Sequence, residues 1–441
     1  MKILHNLFLI FILVVLVTSQ STPIIGVVSQ PSTSKLKRFG NQFIASSIVK
    51  WVSQSGAKVV PIKYDIKETD LIPLLDQMNG VVIPGGSLPV PSENKLEAYP
   101  LYQTVKTITQ ITIDKNKKGE HFPVFAISES MSMVLMAYEQ TLQETIASQK
   151  IASGSQEDSN KNKEQMGGVL AASETFIYPI SKWPLNKLSK KIVFEGGAPE
   201  SKMFGGVSPL LITKLDEHKS WAHFYGKQSI TTDNFYKMKS VWNDFNIMMT
   251  LPTNKKSKVV DPANNEPGDM DSNPNPAKKF PYNKISIVAA VEGNDVPILG
   301  TLWHPAHNAW EWGKKQSPVC REYECIKVTQ VLASNFVQQA RKHALQKSEH
   351  HLNLNSGSSQ LQSIMEVKKF YTYKFDNSFF ESYIFEVNPS WNKEDSTFLD
   401  FFMLLLSFLG LGTTMWLFFV GLKWMFQSKS NQTSGKLLKE I

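Results

Sequence analysis

A chain of 441 residues, 42% of them hydrophobic, is long enough for one large domain or two smaller ones with a real core. Its formal charge of +8 comes from lysines scattered along the chain with no block of five or six, which describes a mildly basic surface and argues against nucleic-acid binding. The two cysteines, Cys320 and Cys325, do not have the spacing of a zinc site.

At the start, Lys2 precedes an apolar run from Leu7 to Val17, followed by Thr18, Ser19, Gln20 and Ser21. That order is the one found in a secretory signal peptide, assigned to residues 1–19. "PIIGVV" (Pro23 to Val28) reads as a buried strand. Residues 41–55 read as a helix, with Ile44, Ile48, Trp51 and Val52 at helical spacing and Gly56 at its stop. "AKVVPI" is the next strand and "TDLIPLLDQM" a helix capped by Thr69 or Asp70. "GVVIPGG" is a third strand ending in a turn at Gly85 and Gly86, and a helix follows over 95–113. This alternation predicts a parallel sheet covered by helices on both faces. Ligands of such sheets bind beyond the carboxyl ends of the strands, where Pro84-Gly85-Gly86 and Ser128 fall.

Polar inserts are expected near 150–168 and 253–283, the second disordered by composition. "KISIVAAVEG" and "VPILGTLWHP" read as a strand pair around Gly293-Asn294-Asp295. "VTQVLASNFVQQARKH" is a helix with Val328, Val331, Leu332 and Phe336 on one face. Residues 346–362 are a polar connection, and "FYTYKF" and "SYIFEV" are late strands. After a stalk at 389–397, the run from Phe398 to Leu422 holds no charge past Asp400, enough to cross a ~30 Å hydrocarbon layer. Glu394, Asp395 and Asp400 precede it, and Lys423, Lys429, Lys436 and Lys439 follow. The positive side faces the cytosol, so the expectation is a single-pass type I membrane protein with a transmembrane helix at 398–422 and a tail at 423–441. On this topology the sequon at Asn431 stays unmodified. Gly410 and Gly412 do not by themselves imply helix pairing, and a homodimer stays an open alternative.

"FPVFAISESMSMVL" places a short strand, Val124 to Ile127, before a helix rich in Met, Val and Leu. Between them Ala126, Ser128 and Ser130 make a small-x-Ser-x-small pattern. A strand-to-helix turn that exposes a nucleophile needs small neighbours because its backbone is strained and crowded. Ser128 is therefore a candidate nucleophile, against the plain alternative of a strand–helix join that happens to contain serine. His304, in "GTLWHPAHNAWEW", ends a strand and is a candidate base; the alternative is a histidine packed beside Trp303. The N–H groups of Gly85, Gly86 and Glu129 are candidate oxyanion donors.

Taken together, "PIIGVVSQP", "FGNQFIASSIVKWVSQSGAKVVPIKYD", "NGVVIPGGS", "FPVFAISESMSMVL" and "PILGTLWHPAHNAWEW" resemble the gamma-glutamyl hydrolase family in order and spacing, over about residues 23–388 without the polar inserts. The resemblance implies a class I glutamine amidotransferase-like α/β fold, a three-layer α/β/α sandwich, here with the C-terminal transmembrane helix added. It implies hydrolysis of folyl-poly-gamma-glutamates by a Cys nucleophile and a His base, a small-molecule gamma-glutamyl ligand, no metal or other cofactor, and a vacuolar, lysosomal or secreted location. The family's elbow, close to G-T-C-L-G-F-E, aligns Ala126 and Ser130 with its glycines, Ser128 with its Cys and Ser132 with its Glu. Its W-H-P-E aligns with Trp303, His304, Pro305 and Ala306, and its N-F-H histidine falls on Tyr225, with His223 close by.

These departures have a chemical size. A thiol with pKa near 8.5 is a strong nucleophile as thiolate, whereas a serine hydroxyl depends on a well-oriented base. Loss of the carboxylate that orients such a base costs about 10⁴-fold in serine hydrolases, and here that position is Ala306. Glu129 adds negative charge beside the oxyanion site. The expectation is a homologue with impaired hydrolysis; the alternative is an active gamma-glutamyl or amide hydrolase with Ser128 as nucleophile and His304 as base. Elsewhere, Cys320 and Cys325 are candidates for a short structural disulfide in an oxidising lumen. Asp269-Met-Asp271-Ser-Asn273 begins like a calcium loop, but Pro274 and Phe280 stand where glycine and the closing Glu are required. Glu349-His350-His351 reads as a solvated linker, and no spacing rule gives His307 or Glu311 a role.

Overall fold

The computed structural model describes residues 22–387 apart from 33–35, 38, 87–89, 155–177, 184, 186–187, 219, 257–283, 312–318, 352–368 and 373–379. The chain divides into two compact units, Met1–Thr33 with Gln42–Phe385, and Ser34–Asn41 with Glu386–Ile441. The first holds every candidate site residue. The signal segment, the stalk, the tail and the calcium-like loop lie outside the described residues.

The first half alternates as its apolar pattern predicts. The elements are β1 (Ile24–Val28), β2 (Gln30–Pro31), β3 (Gly40–Ala45), α1 (Ser46–Ser53), β4 (Lys58–Ile62), α2 (Glu68–Leu75), β5 (Gly80–Ile83), α3 (Glu93–Leu96), α4 (Pro100–Lys117), β6 (Val124–Ile127) and α5 (Glu129–Gly154). The helix expected from residue 41 begins only at Ser46, because Gln42 and Phe43 pair with β2. Strand pairing with the preceding β2 overrides helical spacing there. The second half adds β7 (Ile180–Lys182), β8 (Leu188–Lys190), β9 (Val193–Phe194), α6 (Pro209–Glu217), β10 (Ala222–Phe224), β11 (Gln228–Ile230), α7 (Thr232–Lys237), α8 (Lys239–Asp244) and β12 (Phe245–Lys256). After these come β13 (Lys284–Gly293), β14 (Ile298–Thr301), α9 (Pro305–Trp310), α10 (Tyr323–His351), β15 (Lys369–Thr372) and β16 (Phe380–Val387). Thus α5 and α10 run into the segments expected to be polar connections at 150–168 and 346–362, and β12 runs into the insert expected from residue 253.

The main sheet has eight strands in the order β4-β1-β5-β6-β14-β13-β12-β9. Its first five are parallel and the rest antiparallel. The strand pair around Gly293-Asn294-Asp295 is β13 with β14, in register Ala290↔Thr301. A four-stranded sheet, β15-β16-β3-β2, and two short ribbons, β10–β8 and β11–β7, complete the pairing. Phe125 of β6 meets Trp51 of α1 and Phe336 of α10 edge-on at 5.1 and 5.6 Å. Strand alternation turns its neighbours to the opposite face, where α4 and α5 pack together.

The transmembrane part of the expected fold is corrected. Among the described residues no helix is long and apolar enough to cross a membrane, and residues 398–422 themselves lie outside the described residues. The two longest described helices, α5 of 26 residues and α10 of 29, are interrupted by charge: Glu139, Glu144 and Lys150 in one, Lys327, Arg341 and Lys342 in the other.

Trp51 ties α1 to the sheet and to α10. It is fully buried, and its indole N–H donates to the Thr329 carbonyl at 2.8 Å. Trp51→Ala is expected to lower unfolding stability by about 3–5 kcal/mol in urea titration, and Trp51→Phe by clearly less because most of the packing survives.

Candidate active site

Ser128 stands alone between β6 and α5. Its φ of 60° makes it the one described non-glycine residue in the left-handed region, a conformation that costs an L-residue about 1–2 kcal/mol. The surroundings hold it there. Its N–H donates to the Thr301 carbonyl at 2.6 Å, and its own carbonyl accepts from Met131 N–H at 3.0 Å. Gly85 lies so close that a Cβ on it would sit 2.4 Å from the Ile127 carbonyl and 2.8 Å from Ser130 N. Pro84, just before it, is fixed through its carbonyl, which accepts from Ser130 Oγ at 2.7 Å and Gln30 Nε2 at 3.0 Å. The glycine loop after β5 is thereby locked onto the elbow.

His304 follows the end of β14 and caps α9, its N–H donating to the His223 carbonyl at 2.8 Å. The place a Gly86 Cβ would occupy lies 2.5 Å from His304 Nε2 and 3.3 Å from Ser128 Oγ. The structure therefore brings Ser128, Gly86 and His304 to one point, with Gly85 behind them. It does not join Ser128 to His304. The serine hydroxyl donates to Glu129 Oε2 at 2.6 Å, and His304 Nε2 is buried with no hydrogen-bond partner among the described residues. Ala306, at the position of the family's acid, is fully buried.

What supports the His304 ring is other rings. His307 stacks on it at 4.6 Å with an interplanar angle of 22°, Tyr225 meets both edge-on at 5.9 Å, and His223 lies 5.3 Å from His307. His223 is anchored by Ser189 Oγ at 2.9 Å from its Nδ1. Trp303, beside His304, packs against Trp221 at 5.0 Å. Burial holds these imidazoles neutral. It lowers His304 to about 3, with His223 as a further cause, and His223 to about 4, with Arg321 assisting. His307 is driven well below the ordinary value by burial and then by His304, His223 and Arg321.

Glu129 is buried and turns into the site. Burial raises its carboxyl above the usual range, opposed by hydrogen bonds from the Ser128 hydroxyl, its own N–H and the backbone N–H groups of Lys227 and Gly86. The Lys227 N–H reaches Oε1 at 3.0 Å. Gly226 makes room: a Cβ there would fall 2.0 Å from Oε1. Two of the expected oxyanion donors, Gly86 and Glu129 N–H, thus serve this carboxylate.

Cys320 and Cys325 are disulfide-bonded. The Asn308 amide donates to the Cys320 and Trp221 carbonyls, both at 3.0 Å, and Arg321 Nη1 donates to the Asn308 carbonyl at 2.7 Å and to the His307 carbonyl. The disulfide loop therefore braces α9, which begins just after His304. His350 and His351 end α10. Near the surface His218 Nε2 lies 3.6 Å from Glu322 Oε2, and Glu324 beside them pairs with Lys214. The sequence did not single out Gly226, Lys227 or Gln30; the i, i+3 spacing of His304 and His307 was the one signal for the histidine stack.

A mixed sheet whose strand ends carry a strained elbow, a glycine loop and a histidine is consistent with a class I glutamine amidotransferase-like fold. Residues 23–181 match the Peptidase C26 family. The chain is similar to gamma-glutamyl hydrolase of Homo sapiens, 26% identical over 82% of this chain and 90% of that one. It is similar too to gamma-glutamyl hydrolase B of Dictyostelium discoideum, 25% identical over 76% and 77%, and to gamma-glutamyl hydrolase 1 of Arabidopsis thaliana, 27% identical over 73% and 72%. These similarities support a relationship to the gamma-glutamyl hydrolase family.

Three histidines kept neutral by burial set a pH dependence. Unfolded, each takes up a proton near pH 6.5; folded, none does until far lower. Stability is therefore complete above about pH 6.5 and is lost as pH falls toward the folded values. The raised Glu129 carboxyl acts in the opposite sense by at most one proton. His307→Phe keeps the stacked ring and removes one such proton. Its stability is expected to fall less steeply from pH 6.5 to 4.5 than that of wild type, by up to about 1.4 kcal/mol per pH unit, read by urea denaturation at each pH. Equal slopes would show that His307 already protonates in the folded state.

Proposed function

We propose that this chain is a gamma-glutamyl hydrolase homologue that keeps a site for gamma-glutamyl compounds, of the folyl-polyglutamate class its family resemblance implies, with hydrolysis impaired or lost. The observation that carries this reading is the partner of the Ser128 hydroxyl: it donates to Glu129, while His304 Nε2 has no partner among the described residues. A serine nucleophile needs its base within hydrogen-bond reach and an orienting group behind that base. Neither is assembled among the described residues, and both cysteines are held in the disulfide. The family relationship and the convergence of Gly86, Ser128 and His304 support retention of the ligand site.

The strained backbone of Ser128 favours a second reading, an active gamma-glutamyl or amide hydrolase with Ser128 as nucleophile and His304 as base, since such strain persists where a nucleophile must be presented. The Cys320–Cys325 disulfide supports a home in the oxidising secretory pathway. The purified chain is expected to release no glutamate from a folyl-polyglutamate above the enzyme-free rate. Turnover that Ser128→Ala abolishes overturns this reading and establishes the second.

A further inference from the structure

We propose that Glu129 is an internal ligand of the site: its γ-carboxylate fills the backbone N–H cradle of Gly86, Glu129 and Lys227, beside the Ser128 hydroxyl, and excludes the γ-carbonyl or carboxylate of an external gamma-glutamyl compound. The proposal rests on the reading that a gamma-glutamyl site is retained, and it states how that site is occupied.

The chemistry of the occupant is the first support. A glutamate side chain ends in the same three-carbon arm and γ-carboxyl group that a gamma-glutamyl ligand presents. One oxygen, Oε2, stands 2.6 Å from the Ser128 hydroxyl, where the acyl group of a ligand would meet the nucleophile, and Oε1 takes the Lys227 N–H at 3.0 Å. Gly86 and Glu129 N–H, expected to receive an oxyanion, donate to the same carboxylate. The clearance at Gly226 is the second support. With a Cβ 2.0 Å from Oε1 excluded, the backbone at this position is shaped to admit a carboxylate oxygen. The third is independent of Glu129. His304 Nε2, buried and without a partner among the described residues, borders the same space, 2.5 Å from the point a Gly86 Cβ would reach. A buried ring nitrogen left unpaired is costly, and a ligand atom supplies what it lacks. Among the described hydrogen bonds no other side chain enters the cradle.

The test is calorimetric titration of the full chain with γ-L-glutamyl-L-glutamate, for wild type, Glu129→Ala and the isosteric Glu129→Gln. Wild type is expected to bind weakly. Both variants are expected to bind at least about tenfold more tightly, the scale of one hydrogen bond to a charged group. Glu129→Ala should exceed Glu129→Gln, whose amide oxygen still accepts from the cradle. Should Glu129→Ala fail to fold, Glu129→Gln decides alone. Wild type binding as tightly as the folded variants overturns the internal ligand and leaves the retained site standing. No saturable binding by any of the folded proteins overturns the retained site and the internal ligand with it.

Discussion

The site is organised by a backbone approach that leaves no room for a side chain. Gly85 lies against the turn from Ile127 to Ser130 at distances a Cβ would forbid. That contact couples the loop after β5 to the start of α5, and it leaves Ser128 in a left-handed conformation that a free turn of the same sequence would relax. The Thr301 carbonyl, from the adjacent strand, closes the third side. Three parallel strands thus end on one turn, and every other feature of the site, from the direction of the Ser128 hydroxyl to the reach of His304, follows from where that turn is pinned.

On this scaffold the polar groups gather around the Glu129 side chain. A working nucleophile–base pair concentrates polarity between two groups and leaves the backbone donors vacant for charge that develops later. Here the donors already serve the Glu129 carboxyl group, and among the described residues the histidine leans on aromatic neighbours. A stacked, neutral imidazole is held in orientation but receives no stabilisation when it takes a proton. The Ser128 hydroxyl is committed to Glu129, while His304 Nε2 is buried with no partner among the described residues.

Much of this was legible from the residues. Apolar runs ending in glycine or a small residue located β1, β5 and β6, and the short spacing from Pro84 to Gly86 marked the loop that carries donors. Ser128, Gly86 and His304 were each named from their place at a strand end, and they converge. What escaped notice depends on contacts that the local pattern does not encode. Helical spacing through Ile44 and Ile48 concealed β3, which exists because it pairs with β2. Gly226 and Lys227 acquire meaning only through a carboxylate about a hundred positions earlier in the chain, and no local pattern announces that. Glu129 was read as a backbone donor and as a negative charge beside the oxyanion site, since the sequence carries no information on which way its side chain turns.

Trp303 and Trp221, buried edge-on beside His304, have an optical consequence. Indole emission responds to polarity and to nearby cationic rings, and these two indoles sit in a dry, rigid shell next to the groups that change charge or acquire a neighbour. The protein therefore carries its own fluorophore at the strand ends, placed so that occupation of the site can be followed by light with no label attached.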